Sequence, residues 1–158
     1  MLTKYDEYIT ESNDLNLQLF RALDNKYGEK EIIRTDINKV KELLDSGADI
    51  EYTENYDVTP LMWAVENHNK EAVEFLLDNG AKIDAKDMAG STSLSRACYK
   101  GYRREIPEII KLLIKKGADI ETTDNKKLTP LIVASQKNIV PVIKLLLEYG
   151  ANINGCVK

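Results

Sequence analysis

The chain has 158 residues, 43% hydrophobic and 30% charged, a composition typical of a folded protein with one sizeable core. Its formal net charge of −4 offers no basic field to attract phosphate backbones, so the composition argues against nucleic-acid binding. The two cysteines, Cys98 and Cys156, indicate no disulfide framework. No apolar run approaches the roughly 20 residues that span a bilayer, and the first residues lack a signal-peptide core. We therefore expect no membrane partner and a cytoplasmic location, the alternative being a delivered effector.

The first 14 residues are polar and predict an N-terminal extension. Tyr5, Tyr8 and Ile9 have the spacing of one helix face, so a short helix is possible, and an extended tail fits equally well.

Two helices are predicted next. The first begins at Leu15, where apolar residues start to recur at helical spacing after the capping candidate Asp14, and is expected to stop at Gly28. Asp36 is placed to cap the second helix, which ends at Gly47.

An internal repeat then becomes visible through two markers. A Gly-Ala pair recurs at spacings of 33, 37 and 33 residues, beginning at Gly47, Gly80, Gly117 and Gly150. A turn motif returns in step, starting at Thr59, Thr92 and Thr129, with spacings of 33 and 37. Since both markers share one period, the chain is built from repeated units.

A 33-residue period with a Thr-Pro-Leu turn opening a helix pair resembles the ankyrin repeat. The resemblance implies an all-α fold, an ankyrin-type solenoid of about four stacked helix-turn-helix repeats with projecting turns. The repeat domain would span residues 15–158. Its units are expected at residues 15–50, 51–83, 84–120 and 121–153, with a short tail at 154–158.

Several positions are predicted to form the core of this stack. Small residues such as Ala64 stand where paired helices approach closely, and Leu76 and its counterparts fill the second helices. Cys98 falls at a core position, and Trp63 should pack between repeats with its indole N–H seeking an acceptor. Four extra residues near Tyr102 lengthen the third unit between its helices.

The sequence predicts no enzyme, with no catalytic residue and no metal or cofactor site. The single histidine, His68, matches Gly101 and Asn138 at the end of a first helix, where the ankyrin family usually has glycine. Because no partner residues are spaced to form a site with it, a helix-terminating role outweighs a catalytic or ligating one. No Gly-rich phosphate loop occurs.

The resemblance implies recognition of another protein on the concave face, formed by turn tips and first helices. Among the predicted contact residues, the apolar ones are expected to be exposed, and the lysines make the third and fourth units locally positive. An acidic or mixed-charge partner would complement them. Carried over position by position, the predicted binding residues are Asn55, Tyr56, Val58, Glu66, Asn67, Lys86, Met88, Ser91, Tyr99, Lys100, Asn125, Lys126, Leu128, Gln136 and Lys137.

Asp57 and Lys127 depart from the family pattern, because only Gly90 supplies the glycine usual in these turns. We therefore expect two of the three turn tips to differ in conformation. The exposed loop of Tyr102, Arg103 and Arg104 is interpreted as solvated charge or, less readily, as an interface anchor.

Two alternative functions remain open. The chain could be an accessory factor that binds or delivers a small ligand or cofactor to an enzyme, with His68, Tyr52, Tyr56 and Met88 as candidates. The last repeat could also self-associate or dock onto another chain. Its second helix reads like that of an internal repeat, so polar substitutions of Ile139, Val140 and Val142 are predicted to change the size of the particle in solution.

Overall fold

The computed structural model describes residues 14–23 and 36–154, which contain eight α-helices and no β-strand. This confirms the all-α prediction. The N-terminal extension before Asp14, the expected stop at Gly28 and the residue Cys156 lie outside the described residues. The helices are α1 (Leu15–Ala22), α2 (Ile37–Asp45), α3 (Pro60–Glu66), α4 (Lys70–Asp78), α5 (Ser93–Tyr99), α6 (Ile106–Lys115), α7 (Pro130–Gln136) and α8 (Val140–Glu148).

The first helix of the second, third and fourth repeats begins at a capping threonine. The hydroxyl of Thr59 accepts from the Met62 N–H at 3.3 Å, and Thr92 and Thr129 cap α5 and α7 in the same way. Each hydroxyl satisfies an N–H group that a helix start would otherwise leave unpaired. Ser93 replaces the usual proline at the start of α5, and the helix still forms because its threonine cap is retained.

The repeats stack by packing like helix on like helix. First helices α3, α5 and α7 pack in series, as do second helices α4, α6 and α8, while each first helix also packs on the second helix of its own repeat. Ala64, Ala97 and Ala134 are fully buried where the helices meet, and Leu76 is fully buried in the second layer, as predicted. The core is therefore continuous along the stack.

The third repeat is longer, as its spacing predicts. Six residues, 100–105, connect α5 to α6, whereas three residues make the same connection in the second and fourth repeats. Helix α6 has ten residues against nine in α4 and α8. These differences account for the four extra residues.

The residues that end the first helices follow two different rules. His68 and Asn138 adopt left-handed backbone, with φ of 58° and 55°, so each continues the chain as a glycine would. Gly101 lies in the longer, six-residue connection of the third repeat and does not take positive φ. Instead, a Cβ at Gly101 would lie 2.6 Å from Cγ2 of Val142 and 3.1 Å from Cγ2 of Ile139. This glycine makes room for the fourth repeat.

We predict that Gly101→Ala destabilises the protein by about 1–3 kcal/mol through this overlap. Val142→Ala should relieve the overlap, so the double variant should be more stable than the sum of the two single effects implies, by about 1 kcal/mol. Urea unfolding of the four proteins measures this coupling. Strictly additive effects would show that Gly101 and Val142 do not compete for space.

Candidate protein-binding face

Three short turns project from the stack, and we call residues 54–58, 87–91 and 124–128 the turn tips. Each tip is closed by a backbone hydrogen bond in which its first N–H donates to its last carbonyl. These bonds measure 3.2 Å from Glu54 to Val58, 3.1 Å from Asp87 to Ser91 and 3.2 Å from Asp124 to Leu128. The three tips therefore share one closure.

The expected difference at Asp57 and Lys127 is absent. Asp57, Gly90 and Lys127 all adopt left-handed backbone, with φ of 57°, 75° and 61°. A turn this tight requires that conformation, which costs a non-glycine residue roughly 1–2 kcal/mol. The first tip differs one residue earlier, because Tyr56 also has positive φ, at 66°.

A carboxylate holds two of the tips from inside. Asp87 Oδ1 accepts from the Ala89 and Ser91 N–H groups, both at 2.8 Å. Asp124 Oδ1 accepts in the same way from Lys126 at 2.8 Å and Leu128 at 2.9 Å. Glu54 occupies the equivalent position, but its longer side chain makes no hydrogen bond to the described residues. Burial raises the pKa of the Glu54 carboxyl.

Neighbouring tips are joined through their backbones. The Met88 N–H donates to the Tyr56 carbonyl at 3.0 Å, and the Asn125 N–H donates to the Ala89 carbonyl at 2.9 Å. The Asn125 side-chain amide donates to the Met88 carbonyl at 2.9 Å. The tips thus form one continuous rim, whose side chains are held in fixed order.

An aromatic groove lies behind the first two tips and has a volume of about 740 Å³. Trp63 is half-buried in it, with its ring centroid 6.0 Å from that of Phe20 in an edge-to-face arrangement. The expected acceptor for the Trp63 indole N–H is absent among the described residues. The groove is lined by Phe20, Glu54, Asn55, Tyr56, Val58, Trp63, Glu66, Asp87, Met88, Ala89 and Arg96.

A basic groove of about 460 Å³ follows behind the second and third tips. The Lys137 ammonium lies 4.0 Å from the centroid of the Tyr99 ring and holds the pKa of that hydroxyl below its usual range. No carboxylate of the described residues forms an ion pair with Lys100, Lys126 or Lys137. Besides residues shared with the aromatic groove, its lining comprises Ser91, Ser95, Tyr99, Lys100, Asp124, Lys126, Leu128, Val133, Gln136 and Lys137.

Arg96 separates the two grooves. Its guanidinium donates to Asp87 Oδ2, with Nε at 2.9 Å and Nη2 at 2.6 Å, and Nη1 binds Glu66 Oε1. The Asp87 side chain is only 5% exposed, and its charge is neutralised by Arg96, which donates two hydrogen bonds to Oδ2. Arg96 was not among the binding residues predicted from the sequence. The available signal was a charged residue at the repeat position that holds Trp63 and Val133 in the neighbouring units.

The predicted binding residues divide into those that line a groove and those that do not. Tyr56, Met88 and Tyr99 are exposed as expected, by 74%, 63% and 49%. Asn67, Lys86 and Asn125 line neither groove, and the Lys86 ammonium donates to the Thr123 carbonyl at 2.9 Å. The others are placed together in the grooves, namely Asn55, Tyr56, Val58, Glu66, Met88, Ser91, Tyr99, Lys100, Lys126, Leu128, Gln136 and Lys137.

The expectation that Val58 is exposed was wrong. Val58 is 9% exposed because it closes the first tip immediately before the helix cap, where its side chain forms part of the groove floor. Leu128, its counterpart, is half-buried for the same reason. The exposed large apolar side chains of the two grooves are therefore Tyr56, Met88 and Tyr99.

The side chains proposed for a small-ligand site are not assembled in one place. Tyr56 and Met88 line the aromatic groove, and Tyr52 touches the groove only through Phe20, at a centroid distance of 6.3 Å. His68 lines neither groove and lies instead within electrostatic range of the Arg103 and Glu105 loop. Burial lowers the pKa of its imidazole.

Within the described part of the chain, the one cysteine thiol is that of Cys98. The Cys98 side chain is fully buried and burial raises the pKa of its thiol, which confirms its place in the core. Among residues 14–23 and 36–154, no three His, Cys, Asp or Glu side chains converge as metal ligands would.

None of the helices in those ranges is long and apolar enough to cross a membrane.

Comparison with known proteins agrees with this architecture. A family model described as ankyrin repeats (3 copies) matches residues 26–87 and 86–155. The chain is 35% identical over 128 residues to "Ankyrin repeat, SAM and basic leucine zipper domain-containing protein 1" of Dasypus novemcinctus, covering 80% of this chain and 27% of that protein. The mouse protein of that name is 36% identical over 120 residues, covering 75% and 25%. The chain thus spans about a quarter of the length of these relatives.

The chain belongs to the ankyrin-repeat family. Ankyrin repeats generally mediate protein–protein interaction, and the family is in general a non-enzymatic interaction module. The ankyrin-type fold that the resemblance implied is therefore confirmed, and the general role of the family agrees with the class of function that the resemblance implied.

We predict that Glu54→Asp stabilises the protein by about 1 kcal/mol, because the shorter carboxylate can accept the tip amides as Asp87 and Asp124 do. Asp124→Glu should destabilise it by a similar amount for the converse reason. Thermal unfolding followed by circular dichroism compares both with the wild type. A loss of stability in Glu54→Asp would contradict this account of the tips.

Proposed function

We propose that this chain binds a partner protein through its concave face, formed by the turn tips and helices α3, α5 and α7. The observation that carries the proposal is the placement of Tyr56, Met88 and Tyr99. Tyr56 and Met88 are 74% and 63% exposed on the rim, whose backbone is fixed by hydrogen bonds between tips, and Tyr99 is 49% exposed at the end of α5. Exposed aromatic and methionine side chains beside a groove are typical of an interface centre.

The charges of the face support a partner with an acidic or mixed-charge surface. Lys100, Lys126 and Lys137 surround the basic groove without carboxylate partners among the described residues. A partner carboxylate would gain a charge-assisted hydrogen bond there and would be steered toward the face during association.

We predict that replacing Tyr56, Met88 and Tyr99 together by alanine abolishes stable capture of the partner. These are the exposed large apolar side chains that line the two grooves, and truncation of interface anchors commonly costs about 2 kcal/mol or more each. Affinity purification with quantitative mass spectrometry compares the triple variant with the wild type.

The matched control is Val140→Ala with Tyr149→Ala, which removes exposed apolar side chains that line neither groove. Its captured proteins should match those of the wild type. Equal capture by the triple variant, or equal loss in the control, would refute the concave face as the binding surface.

A second candidate function is self-association through the fourth repeat. In the second unit Met62 is fully buried, and its equivalent in the fourth unit, Ile132, is only partly buried. Val73 and Ile110 are likewise fully buried, whereas their equivalent Ile143 is only partly buried. Together with Leu147, 39% exposed, and Ile153, 72% exposed, Ile132 and Ile143 surround a cavity of about 310 Å³. A second copy of this chain could cover this apolar edge.

Polar substitutions of Ile139 and Val142 do not test this idea, because both side chains are buried. They are 8% and 0% exposed and pack next to Gly101 of the third repeat. We predict instead that Leu147→Lys with Ile153→Lys lowers the mass measured by sedimentation equilibrium to that of one chain, 17.9 kDa. Charges placed on an apolar interface are costly to desolvate. Val140→Lys, 54% exposed elsewhere on α8, is the control. A wild type that is already monomeric would exclude self-association.

A further inference from the structure

The concave face carries opposite charges in its two grooves. In the aromatic groove, the carboxylates of Glu54, Glu66 and Asp87 stand against one guanidinium, that of Arg96. Since Arg96 is shared between Glu66 and Asp87, the Glu54 carboxylate is left over. It has no hydrogen bond to the described residues and is half-buried beside the groove.

The surroundings of Glu54 suit a positively charged side chain. Phe20, Tyr56 and Trp63 present aromatic rings to the same groove, and Met88 adds a flexible apolar wall. Aromatic faces attract a cation, and an apolar wall accommodates the methylene stem of lysine or arginine. A neutral apolar side chain would fill the groove but leave the carboxylate partly desolvated and unpaired, which is unfavourable.

The basic groove has the opposite requirement. Lys126 and Lys137 come from the third tip and the end of α7, and Lys100 follows α5. The Asp124 carboxylate in the same groove already accepts two tip amides. The lysines therefore remain available for an anion from outside, and carboxylates are the anions that a protein segment supplies.

We propose that the partner contributes one extended segment that places a lysine or arginine in the aromatic groove and carboxylates in the basic groove. This inference rests on the proposed function and specifies its partner. The Arg96 network forms the border between the two sites, so that each charge of the segment has one favourable position.

The spacing within the segment follows from the packing of the first helices. The grooves lie between α3 and α5 and between α5 and α7, and neighbouring packed helices are about 8–10 Å apart. Because Lys100 and Lys126 lie one and two repeats further along the stack than Glu54, the two charge sites are about 10–20 Å apart. An extended chain advances about 3.3 Å per residue, so the basic residue and the carboxylates should be separated by about three to six residues.

Selection of a random dodecapeptide phage library on the immobilised wild-type chain tests the inference. Enriched peptides should carry lysine or arginine about three to six residues from aspartate or glutamate. For a synthetic peptide of this kind, replacement of the basic residue by norleucine should weaken binding about tenfold or more in fluorescence polarisation, because a charge-assisted hydrogen bond is lost.

Protein variants assign each charge to its groove. Glu54→Gln should abolish the preference for lysine over norleucine and leave the preference for glutamate over glutamine unchanged. Lys126→Gln with Lys137→Gln should do the reverse. Glu71→Gln and Lys144→Gln, exposed substitutions on α4 and α8 that line neither groove, should behave like the wild type.

Several results would overturn the inference. These are enrichment of peptides without the basic residue, equal binding of the norleucine peptide, an unchanged preference in Glu54→Gln, or no enriched peptide at all. In each case, loss of protein capture in the Tyr56, Met88 and Tyr99 variant would still support the proposed function. Failure of both experiments would remove the concave face as a binding surface altogether.

Discussion

The concave face depends on the burial of apolar side chains between successive repeats. None of the helix pairs in residues 14–23 and 36–154 encloses its own core: Leu76, Leu94 and Ile110 are fully buried because the core continues from one repeat to the next. Fully buried alanines at the helix contacts allow this close packing, and the threonine caps fix where α3, α5 and α7 begin. The positions of the turn tips follow from that packing, since each tip is attached to a helix whose place in the stack is already determined.

Within that frame, two kinds of polar interaction shape the surface. Backbone hydrogen bonds between tips hold the rim together, and the Arg96 network fixes the boundary of the grooves. Both consist of groups that already have hydrogen-bond partners within the chain, so neither needs a binding partner for its own stability. The charged side chains that form no ion pair with the described residues, Glu54 and the lysines of the basic groove, are therefore distinct from the supporting structure. Substitution of these side chains would therefore change the surface offered to a partner and leave the contacts of the stack intact.

Much of the fold could be predicted because the repeat period states it directly. The caps at Thr59 and Thr129, the buried Cys98, the left-handed His68 and the longer third unit all follow from local rules applied at the correct spacing. The candidate site was less accessible. Val58 was expected outside because its position belongs to an exposed tip, yet exposure depends on how the side chain turns over the helix start. Arg96 was missed because its role requires Asp87 and Glu66, which lie 9 and 30 residues away in sequence. Similarly, Gly101 is explained by Val142 in the next repeat.

Trp63 is the only tryptophan of the chain, and its ring packs against Phe20 of the first repeat. In a linear stack, each unit is stabilised by its neighbours alone, so the ends can open while the middle stays folded. Indole emission therefore reports the junction of the first two repeats, whereas backbone circular dichroism reports every helix. Coincidence of the two signals during unfolding would mean that the repeats melt as one cooperative unit, and divergence would resolve the opening of one end. The chain thus carries an internal probe of how far cooperativity extends along it.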